Sequence, residues 1–182
     1  MEEENSLISA LVFFFMKSSN KTMKVFLSIL FLMGLISATI AQDANTEFSN
    51  DIQFSSTVNN LEDLLSEIKT TSKPAVVFVT QPWCGACKNL KRDINNDENL
   101  KKILNTQVIA VHATGKQADS LWQKPGEDKQ DYIPRVYFLN TNGQFVEVPP
   151  ANTFYPHFFA SAGEVTKGLE QVMAGSGLGE DL

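Results

Sequence analysis

Residues 75–88 restrict the fold more than any other stretch. Ala75-Val76-Val77-Phe78-Val79-Thr80 is a short unbroken apolar run rich in β-branched side chains, the pattern of a buried strand paired in parallel. Gln81-Pro82-Trp83 ends the run. From Cys84 onward, Cys87, Leu90 and Ile94 recur at helical spacing. A chain that passes from buried strand into amphipathic helix within a few residues has to lay that helix on the sheet. The junction also carries chemistry. Free N–H groups and the positive end of the helix dipole favour an anion there, so Cys84 at the cap is expected to be held partly as thiolate, the form that attacks disulfides. Cys87, one turn on, is close enough to close a small ring with Cys84 and buried enough to stay protonated until needed. Gly85 and Ala86 are small and let a peptide approach.

Cys84 and Cys87 are the only cysteines in 182 residues. Two cysteines exclude a disulfide-stapled mini-protein and a four-cysteine zinc site. Half of a zinc site would need His112 and His157 brought to the pair against their spacing. An inert structural disulfide across two intervening residues would close a very short loop and stabilise little. Fifteen Lys and Arg against 21 Asp and Glu give a net charge of −6, with a pI near 4.9. That balance argues against nucleic acid or an anionic membrane as the main partner. Hydrophobic residues at 43% and charged residues at 20% describe a globular chain.

Residues 1–41 read as a processing segment. Leu7–Met16 is too short an apolar run to span a bilayer. Lys17, Lys21 and Lys24 then precede an apolar stretch, Val25–Ala41, that ends in Ala38-Thr39-Ile40-Ala41. A basic flank, an apolar stretch and small residues before the cut describe a secretory signal cleaved after Ala41. Glu2, Glu3 and Glu4 carry the wrong sign for such a signal, so Met23, or else Met16, is the expected start. The alternative is an uncleaved anchor. With cleavage, no stable membrane span is expected, and the sequon Asn20-Lys21-Thr22 leaves with the segment.

Residues 42–56 read as a flexible lead-in, with Ile52 and Phe54 as a short edge strand. A domain over 57–176 follows, then an acidic tail, 177–182. Leu61, Leu64, Leu65 and Ile68 lie on one helical face, capped by Asn59 or Asn60. Asn95-Asn96-Asp97 interrupts the helix after Cys84. Leu100, Ile103 and Leu104 resume it, with Asp97 as cap. Gln107–Ala113 reads as a second buried strand. Gly115–Asp131 is a long polar loop containing Trp122 and Pro125, a length that is usually functional or mobile. Arg135–Leu139 reads as a strand, Asn140-Thr141-Asn142-Gly143 as a hairpin turn and Gln144–Val148 as the returning strand. Ser161-Ala162-Gly163-Glu164 is a capping box for a helix burying Val165, Leu169, Val172 and Met173. The order predicts an α/β fold: a central mixed β-sheet flanked by helices on both faces.

Pro134 at the start of a strand has two readings. A cis Ile133–Pro134 bond would hold residue 133 with its backbone groups exposed beside the sulfurs, where a substrate strand could pair. A trans proline would merely open an edge strand. Arg135 and Lys88 are candidates for favouring the Cys84 thiolate electrostatically, with a solvated surface charge as the alternative for Arg135. Phe154–Phe159 is either an apolar peptide-binding strip or a buried strand edge.

Trp83-Cys84-Gly85-Ala86-Cys87-Lys88, with Ile133-Pro134 about fifty residues later, resembles the thioredoxin superfamily. Tyr132-Ile133-Pro134-Arg135 before a hydrophobic strand, then Tyr155, Phe158 and Phe159 ahead of Ser161-Ala162 and Val165, is similar to one branch. That branch comprises the small endoplasmic-reticulum members around thioredoxin domain-containing protein 12 and the anterior-gradient proteins. The resemblance implies a thioredoxin fold and protein-disulfide oxidoreductase activity. Cys84 is then nucleophile and Cys87 the resolving sulfur, with Trp83, Gly85, Ala86, Ile133 and Pro134 positioning substrate. It implies disulfide-containing client proteins, no cofactor beyond the redox-active pair, and glutathione or a partner oxidoreductase as the co-substrate. The chain departs from thioredoxins proper at Phe78, where they carry a buried Asp. It departs again on the neighbouring strand, where His112 stands in place of their Lys. Water or His112 would then serve Cys87. Gly85-Ala86 lacks the imidazole of the strong oxidants, so a potential between about −270 and −120 mV is expected. Gly179-Glu180-Asp181-Leu182 is similar to an endoplasmic-reticulum retrieval tetrapeptide in its acids and final Leu but differs at its first residue and in acid order. The expected compartment is the endoplasmic-reticulum lumen or the exterior, with the bacterial periplasm as the alternative. The rival function is a thioredoxin-fold binding module or chaperone with little turnover.

Overall fold

The computed structural model describes residues 47–175 apart from positions 121, 123, 129, 151 and 153. The expected signal segment, its start codon and cleavage site, the first part of the lead-in and the acidic tail lie outside the described residues. Among those described, no helix is long and apolar enough to cross a membrane.

The described elements are α1 (Leu61–Thr71), β1 (Ala75–Val79), α2 (Gly85–Asn95), α3 (Glu98–Thr106), β2 (Ile109–Ala113), α4 (Lys116–Ser120), β3 (Arg135–Leu139), β4 (Phe145–Val146) and α5 (Ala162–Gly175). The strands form one sheet in the order β2-β1-β3-β4. β1 runs parallel to β2 in the register Ala75↔Ile109 and antiparallel to β3 in the register Ala75↔Leu139. Every residue of β1 is buried, as its unbroken apolar run requires, because alternate side chains feed two separate cores. Val76 and Phe78 face Leu90 and Ile94 of α2, Leu104 of α3 and Leu169 of α5. Val77 and Val79 face Leu64 and Ile68 of α1, with Ala118 and Trp122. The fold is therefore the expected α/β one: a mixed sheet with helices on both faces.

Local signals place the helix ends. Asn60 caps α1, its side chain accepting from the Asp63 amide at 2.9 Å. Asp97 caps α3 through the Leu100 amide, also at 2.9 Å. Ser161 accepts from Glu164 N–H at 3.3 Å, while the Glu164 carboxylate takes the Ala160 amide at 2.6 Å, so the box closes one residue further out than the usual form.

Three expectations need correction. Ile52 and Phe54 form no strand. Of this segment only the Ser55 amide reaches the β2 edge, at Ala110 O (2.8 Å), because the Gln53 amide is taken by the Asn105 side chain of α3. Nor is the described part of the lead-in loose: Asn95 bonds both Ser49 N and Glu47 O, and Lys101 holds Asp51 at 2.9 Å. The returning strand shrinks from residues 144–148 to Phe145–Val146. Asn140 Oδ1 takes the amides of Asn142 and Gln144 for the turn, and Pro149-Pro150 offers no N–H to extend the ladder.

Candidate active site

Cys84 is the N-cap of α2, in extended backbone, and its sulfur accepts the Cys87 amide at 3.0 Å. It occupies the position where a side-chain acceptor satisfies an otherwise free N–H at a helix start. Cys84 and Cys87 form a disulfide with their Cα atoms 5.3 Å apart. Cys84 keeps 6% of its surface and Cys87 none, so only the first sulfur meets an incoming group. Gly85 and Ala86 are exposed, and a Cβ on Gly85 would meet nothing within 4 Å. Trp83, on the other side, is 77% exposed. Lys88 is half-buried in the first turn of α2, its amide bonded to the Cys84 carbonyl.

The Ile133–Pro134 peptide is cis, and the Ile133 carbonyl oxygen lies 3.8 Å from Cys84 Sγ. Sequence positions 49 residues apart thus meet at the disulfide. The Tyr132 ring packs at a tilt against Tyr155, centroids 4.8 Å apart, and its hydroxyl accepts the His157 amide at 2.9 Å. The strip Phe154–Phe159 divides in two. Phe154 and Tyr155 are exposed, whereas Phe159 is buried and the His157 carbonyl accepts from Val136 N–H of β3.

Arg135 is not a solvated surface charge. It is 4% exposed, and its guanidinium donates to the carbonyls of Gln130, Tyr132 and Ala118 at 2.8–3.0 Å and of Trp122 at 3.4 Å. Ala118 belongs to α4, a short helix inside the stretch expected to be an irregular loop, so the guanidinium ties α4 and the carbonyls of residues 122, 130 and 132 to β3. The loop is further fixed by Glu127, which binds His157 Nε2 at 2.8 Å and Lys124 at 3.1 Å. Burial pushes the Glu127 carboxyl up, but those two partners outweigh it and leave it below the usual 4.5.

His112 lies on β2 opposite Phe78. Its Nε2 is 2.8 Å from Thr80 Oγ1, and Phe48 and Phe54 pack on its ring at 4.9 and 5.5 Å. Burial first, and the positive charge of Lys91 second, push it down to about 4. It is a neutral imidazole at pH 7 and a weak base. Among the described residues no group of three or more His, Cys, Asp or Glu gathers as metal ligands.

Lys91 and Glu127 were not among the expected site residues, and Tyr132 was expected only as the residue ahead of Ile133-Pro134. Lys91 had a signal: it falls on the inward stripe Cys87, Leu90, Ile94. Glu127 had none, and nothing local pointed to the Tyr132 contact, since their partner His157 is 30 and 25 residues away.

Residues 56–141 match a family model described as thioredoxin-like. The fold is a thioredoxin-like one, with a cysteine pair at the N-cap of its second helix. Among curated relatives, thiol:disulfide interchange protein DsbD from two strains of Campylobacter jejuni is 30% identical over 88 residues. The match covers 48% of this chain and 15% of each relative, so the chain spans a small part of their length.

Proposed function

We propose that this chain is a thiol–disulfide oxidoreductase. The observation that carries the reading is the Cys84 sulfur at the N-cap of α2, bonded to the Cys87 amide and reachable from outside while Cys87 is sealed. In the reduced protein the same N–H and the helix dipole stabilise a thiolate on Cys84. That thiolate attacks one sulfur of a client disulfide. The client S–S bond breaks, one client sulfur leaves as thiolate and takes a proton from water, and a mixed disulfide remains. Cys87 loses its proton and attacks Cys84; the second client sulfur leaves, and the pair ends oxidised. Two glutathione molecules, or a partner dithiol, return it to the reduced form. Run backwards, the same steps oxidise a client. Trp83, Ile133 and Pro134 position the client chain beside Cys84, and the thioredoxin-like match and the relatives' printed name support the reading.

The finer proposals are glutathione coupling, a potential between about −270 and −120 mV, disulfide-containing clients and an exported location. The resemblance to the endoplasmic-reticulum branch favours the endoplasmic-reticulum lumen or secretion. The bacterial source of both relatives favours the periplasm. The test is multiple-turnover reduction of a disulfide protein with glutathione as the reductant, beside redox equilibration of the pair with glutathione. Wild type turns over, and Cys87→Ser accumulates a mixed disulfide and stops. A wild type that binds clients without multiple turnover establishes the binding-module reading instead, which the exposed Trp83, Phe154 and Tyr155 favour.

A further inference from the structure

Helix α2 buries a lysine. Lys91 is 1% exposed, a position that an ammonium group occupies only when paired. Its partner comes from outside the helix: Lys91 Nζ donates to Glu47 Oε2, and the Glu47 side chain stays 62% exposed. The Phe48 ring lies 5.5 Å from Nζ and edge-on to His112. Lys91 follows Cys87 by four residues on the same inward stripe, the spacing at which side chains of successive turns meet. The other ionisable groups near this stripe are Lys88, half-buried directly after Cys87, and His112, Arg92 and Asp93. His112, on β2, is neutral at pH 7. Arg92 is exposed, with its guanidinium on Asn89, and Asp93 is turned to the Ala162 amide of α5.

We propose that the Glu47–Lys91 pair sets the acidity of Cys87: Lys91 draws the thiol toward thiolate, and Glu47 limits that pull. The proposal rests on the oxidoreductase reading, because it supplies what the resolving step needs. Cys87 has to give its proton to water before it forms the bond to Cys84 and breaks the bond from Cys84 to the client. Burial opposes that, since it disfavours the charged form, and the cap interaction serves Cys84 instead. Glu47 and Phe48 stand upstream of residues 56–141, the part that matches the family. The segment ahead of the domain is then a tuning element for the second sulfur. Lys91 and Glu47 are positioning residues that act through Cys87.

The test is the pH midpoint of Cys87 ionisation, read from thiolate ultraviolet absorbance in a Cys84→Ser background, where Cys87 is the only thiol. Lys91→Met raises the midpoint by about one pH unit and slows resolution about tenfold at pH 7. Glu47→Gln moves it the opposite way. In the dithiol protein Lys91→Met makes the pair more reducing and Glu47→Gln more oxidising. Methionine fits a buried site, and replacing a buried ion pair with an apolar side chain is often tolerated. Glu47 faces solvent, so its variant keeps the test decisive if the first fails to fold. A pair with a purely structural role lowers denaturant stability and leaves the midpoint in place. Unmoved midpoints, or shifts of the same sign in both variants, overturn the proposal. Wild-type turnover with unmoved midpoints overturns this inference alone, whereas moved midpoints without turnover overturn the function and leave the electrostatic role standing.

Discussion

Cys84 caps α2 through its sulfur, the same atom that attacks the client disulfide in the proposed reaction. Its thiol in the reduced protein is therefore expected to titrate below the ordinary value of about 8.5, measured as alkylation rate against pH. A midpoint like that of a thiol in an unstructured peptide would remove the basis for redox turnover. Two other residues separate local from tertiary control. Asp97→Ala deletes the α3 cap bond and is expected to cost about 1 kcal/mol, read by urea unfolding. Gly168→Ala has opposing contributions. Alanine is worth about 1 kcal/mol over glycine inside a helix. Its Cβ, however, would stand 2.5 Å from the Phe138 ring, and overpacking of that kind costs about 1–3 kcal/mol. The expected net effect is destabilisation, so a more stable G168A would show that α5 moves off β3 freely. The Asp97 cap was legible in the sequence because a cap is decided within four residues. The tight seat at Gly168 was not, because Phe138 is 30 residues away in the chain.

At the scale of elements, the described residues between β2 and β3 are held by Arg135 together with the Glu127–His157 contact. Arg135 reaches four carbonyls, and hydrogen bonds to a charged group are worth about 1.5–3 kcal/mol each when lost from a buried site. Arg135→Lys is expected to lower stability by about 2–4 kcal/mol despite the retained charge, since an ammonium cannot fork across several acceptors. Hydrogen exchange in the described parts of residues 116–132 should quicken in the same variant. Unchanged exchange there would mean that the Glu127–His157 contact holds the loop by itself. In the sequence a long polar stretch and a nearby arginine stand side by side with nothing to join them. What binds Arg135 is backbone carbonyl, which every residue carries and no composition reveals. The strand and helix limits were better legible. β1, α2, α3 and α5 follow from apolar spacing within single segments, while β4 was overestimated because its length depends on which amides the turn consumes.

For the whole molecule, the titrating groups predict an acid-sensitive fold. His112 is held at about 4 against 6.5 when unfolded. Between those values the unfolded chain binds the extra proton, so stability is complete above about pH 6.5 and falls as pH drops toward 4. A gap of that size is worth about 3 kcal/mol. Glu127, held below its usual 4.5, adds a loss of the same sign at lower pH. His112→Phe is expected to flatten the stability profile of the oxidised protein between pH 6.5 and 4, measured by urea titration at each pH; an unaltered slope would place the acid sensitivity elsewhere. By itself the sequence determined the helix caps, the buried central strand, the strand-to-helix placement of the cysteine pair and the alternation that puts helices on both faces. All of these arise from side chains a turn or a strand apart, where spacing alone decides which way each one points. Only the tertiary structure decided that Ile133 meets Cys84, that Arg135 is a buried clamp, that Glu47 reaches under α2 to Lys91 and that His112 is a neutral packed ring. Each of those depends on closing a long stretch of chain, and the partner across such a closure is selected by shape and burial that no local pattern encodes.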